Sequence, residues 1–198
     1  MIAWLNFASL VISSLIFLFL YIKSVSPAAM EKKIGEIAYK KAGQYRIAAS
    51  ILMFIIFANY ILYYFYPLPL PLSKTFAWGW TISIVIGVLI SLLGGSLMFR
   101  GIKDAGEETM VPKKGHTLYG GIYKYLRHPQ ALGEVTLWWA FAFFLNSPFL
   151  VIWSFVYIPI FALMCFYEEK DLVIRYGDTY RNYRDNTGLF IPRKGSCD

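Results

Sequence analysis

The sequence predicts an all-α integral membrane protein, a single domain of five transmembrane helices whose last two form a helical hairpin. Three observations carry that prediction. The 198 residues are 58% apolar and 19% aromatic, where a soluble domain averages about 45–50% apolar. The apolar residues gather into five runs separated by polar or proline-rich segments. Lysine and arginine are divided unevenly between those segments, as they are in membrane proteins of fixed orientation.

Ile2 to Ile22 is long enough to span, since a crossing needs about 20 residues. No basic segment precedes it and no small-residue cleavage site follows, so it is expected to be a retained helix rather than a signal peptide. Lys23 to Arg46 is polar and basic, and Ile47 to Tyr66 forms a second run. Pro67, Pro69 and Pro71 cannot continue a helix, because proline lacks the amide donor and biases the preceding residue towards extended backbone. Phe76 to Phe99 is the third run; Gly87, Ser91 and Gly95 recur at i+4 and predict a smooth stripe for close helix packing. Residues 1–99 thus hold three spans, and residues 100–198 hold the remainder of the domain.

Arg100 to Pro129 is too long for an ordinary connection, so a short helix and part of a site are expected there. Ala131 to Leu145 is apolar, Asn146-Ser147-Pro148 turns the chain, and Phe149 to Tyr167 returns with a kink expected at Pro159. The arms of this hairpin are about 22 and 28 Å long at 1.5 Å per residue. Eighteen of the nineteen lysines and arginines lie before the second span, before the hairpin or in the tail, leaving Lys74 alone on the opposite side. That split predicts an outside amino terminus, a cytoplasmic carboxyl terminus and a cytoplasm-facing polar site, in the plasma membrane. It also assigns the net charge of +7 to orientation rather than to nucleic acid. Two cysteines, Cys165 and Cys197, make no disulfide framework, and two histidines without a spaced acidic or thiol set make no metal site.

The hairpin brings two clusters back to one face. At its mouth stand Tyr123, Lys124, Tyr125, Arg127, His128 and Pro129; at its far end, Glu168 and Glu169. Pro129 suits the first turn of a helix, whose free amides beside Arg127 would favour a carboxylate or phosphate. Glu168 and Glu169 could accept from hydroxyls or an amine, and Tyr123, Tyr125 and Tyr176 offer faces for a base or a cation. Glu134, one turn inside an apolar helix, is costly there unless paired or functional. The combination describes a pocket for a polar ligand with an anionic end and a cationic or hydroxylated part.

His116-Thr117-Leu118, Gly121-Ile122-Tyr123, Arg127-His128-Pro129, Glu168-Glu169, and Tyr176-Gly177-Asp178-Thr179-Tyr180 with Tyr183 resemble the pattern of the isoprenylcysteine carboxyl methyltransferase and phospholipid methyltransferase superfamily. The resemblance covers about residues 113 to 193. It implies S-adenosylmethionine bound at the cytoplasmic face and a lipophilic acceptor entering from among the membrane lipids. Carried over, it implies that His116, Leu118, Tyr123, Arg127, His128 and Pro129 line the cofactor, with Glu168 or Glu169 completing the site. Ala131 stands where the family often has tyrosine, which implies a wider acceptor pocket. Methyl transfer needs in-line orientation and desolvation more than a catalytic triad. Arg127 and Glu134 are the expected catalytic residues, Glu134 facing the acceptor channel. The competing expectations are an NADPH-dependent membrane reductase, which would need a longer chain with more spans, and a non-catalytic membrane protein.

Overall fold

A computed structural model describes residues 1–114 and 120–193. They form helices α1 (Ile2–Ser24), α2 (Pro27–Ile34), α3 (Ile37–Phe65), α4 (Gly79–Ala105), α5 (Pro129–Phe144), α6 (Pro148–Ser154), α7 (Tyr157–Tyr176) and α8 (Asp178–Asn186), with 3₁₀ turns at Gly106–Thr109 and Gly121–Lys124. Among the described residues there is no sheet; a single parallel bridge joins Leu126 to Gly188.

Proline sets three of these starts. Pro27, Pro129 and Pro148 each stand in the first turn of their helix, where the missing amide hydrogen costs nothing. Ser147 caps α6 by accepting from the Leu150 amide at 3.4 Å. The interruption expected at Pro159 falls earlier, between Ser154 and Tyr157. The reason is local: a proline ring obstructs the carbonyl four residues back, here that of Phe155, so the chain breaks there and restarts with Pro159 in the first turn of α7.

Four helical stretches are long and apolar enough to cross a membrane: Ile2–Ser24, Ile37–Phe65, Gly79–Thr109 and Pro148–Tyr176. The expected fifth span folds as α5, whose 16 residues reach about 24 Å, short of a hydrocarbon core of about 30 Å. It lies along α4. The close approach follows Gly87, Gly94 and Gly101 rather than the expected Gly87, Ser91 and Gly95. A methyl group on Gly94 would collide with Thr136 of α5, and one on Gly87 or Gly101 would come within 2.7 Å of Phe144 or Gln130, whereas Gly95 has nothing within 4 Å. Helices crossing at a shallow angle meet every two turns, a spacing of seven residues, and an i+4 stripe drifts off that line.

The core joins α1, α3, α5 and α7 through Leu10, Phe17, Tyr60, Trp138, Tyr157 and Phe161, all buried. Trp138 stacks on Tyr157 with ring centres 4.7 Å apart. The buried hydroxyls are satisfied: Tyr157 meets Ser14 at 3.2 Å and Tyr60 meets Ser154 at 3.1 Å. These polar contacts fix the register of helices whose remaining surface is apolar.

Candidate active site

At the end of the bundle where α1 and α7 finish and α5 begins, a cleft encloses about 870 Å³ of empty space, its open mouth included. Its wall takes Tyr21 from α1, Arg46 from α3, Glu108 from the first 3₁₀ turn, Ala131 from α5, Glu168 from α7 and Tyr180 from α8.

The second 3₁₀ turn is held by Asp104, which accepts from the Ile122 amide at 2.7 Å. Gly121 beside it has φ 59°, and a side chain there would occupy the place of the Asp104 carboxylate. Tyr123 follows, buried, its hydroxyl donating to the Gly101 carbonyl at 3.3 Å and accepting from Gln130 Nε2 at 2.8 Å. The tail ties this segment down. The Arg127 amide donates to the Gly188 carbonyl at 2.9 Å, and the Tyr183 hydroxyl donates to the Tyr123 carbonyl at 2.7 Å. Gly177, at φ 57°, is the turn that lets α8 fold back and bring Tyr180 and Tyr183 to the cleft.

His128 is the centre of the charge network. Its side chain is 5% exposed, with Nδ1 3.3 Å from Glu168 Oε2 and Nε2 3.1 Å from Glu169 Oε1. Arg127 Nε lies 3.2 Å from the same Glu169 oxygen, and Arg127 Nη1 donates to the Arg184 carbonyl at 3.2 Å. Two carboxylates on two ring nitrogens match an imidazole that donates from both, which is the imidazolium. Burial opposes that charge, but contacts with Cys165, Glu168 and Glu169 outweigh it and hold the His128 pKa well above its ordinary value.

A raised value has a definite sign. The stabilisation from His128 is complete below the ordinary histidine pKa of about 6.5 and is lost as pH rises through the raised one. The thermal midpoint of the wild type minus that of His128→Gln, measured against pH, is expected to be largest on the acid side and to shrink under alkaline conditions. A difference that grows with pH would contradict the imidazolium.

The structure therefore brings Tyr123, Arg127, His128, Glu168 and Glu169 together, with Pro129 buried at the helix start beside them. His116 and Leu118 lie outside the described residues. Glu134 sits one turn along α5 from Ala131, and its Oε2 is buried with no hydrogen-bond partner. Two of the expected aromatic faces are used elsewhere. Tyr125 is 61% exposed, and Tyr176 packs against the Arg175 guanidinium at 5.1 Å; Tyr180 and Tyr183 line the cleft instead.

Three functional candidates escaped the sequence reading. Glu108 and Arg175 form a buried ion pair across the cleft wall, and Arg46 donates to the Glu108 and Thr109 carbonyls at 2.8 Å each. Arg46 and Arg175 count in the sequence only as orientation charges, and Glu108 sits in the segment from Arg100 to Pro129, where part of a site is expected but nothing singles this residue out. Only Arg46 carries a signal of position, directly preceding the second apolar run.

Fold and site together define a helical membrane protein with a charged ligand cleft at one end of its bundle. The family model for phospholipid methyltransferases matches residues 82–179, and this half of the chain belongs to that family. The chain is 29% identical over 105 residues to methanethiol S-methyltransferase 2 of Bradyrhizobium diazoefficiens, covering 53% of this chain and 37% of that one. It is 36% identical over 72 residues to the methanethiol S-methyltransferase of Pseudomonas deceptionensis, covering 36% of this chain and 26% of that one. The Mycobacterium tuberculosis methanethiol S-methyltransferase is 32% identical over 71 residues, covering 36% and 28%. The chain thus spans about a third of the length of the curated relatives it matches. No solved structure matches it.

Proposed function

We propose that this protein transfers a methyl group from S-adenosylmethionine to an apolar thiol or similar lipophilic nucleophile that reaches the cleft from the bilayer. The observation that carries the reading is the His128–Glu168–Glu169–Arg127 network within the family-matched half of the chain. In the same reading α5 makes the fifth crossing by locally thinning the bilayer, the amino terminus lies outside and the cleft opens to the cytoplasm. The basic residues grouped on the cleft side support that orientation.

The donor set fits the cofactor. Its carboxylate, ammonium group, ribose diol and sulfonium call for a cation, carboxylates and aromatic faces, and the cleft offers Arg46, Glu168, Tyr123, Tyr180 and Tyr183. Bound there, S-adenosylmethionine supplies an electrophilic methyl carbon. The chain's residues supply orientation: the ion pairs fix the end of α7 against the start of α5, and Tyr183 clamps the tail over Tyr123. Exclusion of water and a near in-line approach are the main sources of acceleration in such a site.

Glu134, with its buried unpartnered oxygen, takes the proton of a thiol acceptor. Glu134→Gln is expected to lower kcat for a thiol about 100-fold or more, the range of general-base removal, with S-adenosylhomocysteine affinity unchanged. Full activity with normal acceptor affinity would remove this role. The function itself is tested by incubating purified protein with methyl-labelled S-adenosylmethionine and alkyl thiols, phospholipid amines or a prenylated cysteine. Labelled thioether as the main product supports the proposal; label found only in lipid or in a prenylcysteine ester moves the acceptor class.

A further inference from the structure

Three arginines line the cleft, and their charges are not equally accounted for. Arg127 pairs with Glu169 and Arg175 pairs with Glu108. Arg46 has no carboxylate partner among the described residues. Its two terminal nitrogens are held by backbone: Nη1 donates to the carbonyls of Glu108 and Thr109, and Nη2 to the carbonyl of Ser24 at 3.4 Å. The third donor, Nε–H, is buried without a partner. The charge acts on Glu134 and Glu168 without an ion pair to either.

Leaving a buried guanidinium uncompensated is unfavourable. Arg46 is also held rigidly, because three carbonyls from the ends of α1 and the first 3₁₀ turn fix the plane of its fork. A positively charged donor pre-set in a cleft wall is the arrangement that recognises an anion. Arg46 lies ahead of residues 82–179, so the family match says nothing of it.

We propose that Arg46 is a further ligand-binding residue, the site that takes the anionic group of a molecule bound in the cleft. The chemistry required is a carboxylate or thiolate, and it has two sources: the carboxylate of the cofactor's amino-acid part, or the thiolate of the acceptor. The inference rests on the methyltransferase reading, and the test separates the two.

The full-length protein in detergent is titrated with S-adenosylhomocysteine and with 5′-methylthioadenosine, which keeps the nucleoside and thioether and lacks the carboxylate. Wild type and Arg46→Gln are compared, and acceptor KM is measured with an alkyl thiol. If the cofactor is the source, Arg46→Gln weakens S-adenosylhomocysteine by about 10- to 100-fold, the worth of one charged hydrogen bond, and leaves 5′-methylthioadenosine nearly unchanged. If the acceptor is the source, both nucleosides bind as in wild type and the thiol KM rises by a similar factor with a smaller change in kcat. Equal weakening of both nucleosides, or no change in either nucleoside or in KM, would overturn the proposal. Arg46→Lys keeps the charge but not the planar fork, and serves where the glutamine variant does not fold. It should lose the same selectivity about tenfold, and full retention would equally overturn the proposal. Wild-type protein that binds neither nucleoside would overturn the methyltransferase reading along with it.

Discussion

Replacing His128 with alanine is expected to weaken S-adenosylhomocysteine binding about 100-fold or more and to destabilise the protein by about 3–5 kcal/mol, the cost of breaking a buried ion pair by removing one partner. The imidazole pairs with both Glu168 and Glu169, which follow one another on α7. Without it two adjacent carboxylates compete for Arg127, and like charges at that distance disfavour ionisation of both. The penalty falls on Glu168, which loses its ion-pair partner, although at 35% exposure water screens part of it; Glu169 keeps Arg127 at 3.2 Å. The effect has a diagnostic second step. Glu168→Gln added to His128→Ala removes the stranded charge and is expected to recover much of the thermal stability while binding stays lost. Circular-dichroism melting and calorimetric titration on the four proteins of this cycle measure both. Recovery of binding along with stability would mean that the network is structural only.

Gly94→Leu is expected to prevent accumulation of folded protein, while Gly95→Leu is tolerated. The two glycines are neighbours in sequence with the same helical backbone, so propensity cannot separate them. Their surroundings differ. A side chain on Gly94 meets Thr136 and the Gly133 carbonyl of α5, whereas Gly95 has open space. Separating α4 from α5 by the width of a leucine breaks the whole seam, because Gly133 in turn packs its Cα against Met98 and the Gly94 carbonyl. Overpacking of a core usually costs about 1–3 kcal/mol, and here it acts on both helices of the closest-packed pair. Detergent size-exclusion profiles of the two variants, expressed side by side, give the answer. Equal yields of monodisperse protein would refute the packing seam.

The contrast between these residues shows what was legible in the sequence. Helical class, proline-defined starts and the juxtaposition of His128 with Glu168 follow from apolar run length and hairpin geometry, both of which are local rules summed along the chain. The glycine seam was misplaced because spacing alone leaves the crossing angle undetermined, and that angle decides between a four-residue and a seven-residue repeat. The fifth apolar run folds as a helix of 16 residues, about 24 Å long, and run length alone does not fix how such a short helix meets the bilayer. Arg46 was invisible as a site residue, since its meaning depends on three carbonyls brought in from Ser24, Glu108 and Thr109. Tyr176, expected with Tyr123 and Tyr125 to offer a face to the ligand, packs instead against the Arg175 guanidinium, a contact that residue type alone does not reveal.

Calorimetric titration of the purified protein with S-adenosylhomocysteine, with NADPH and Arg127→Ala as controls, tests whether the cleft is a cofactor site for methyl transfer. Saturable binding of S-adenosylhomocysteine at one site per chain is expected, with no binding of NADPH and marked weakening in Arg127→Ala, which deprives Glu169 of its guanidinium partner. Folded wild-type protein that binds NADPH, or that binds neither molecule, would contradict that role.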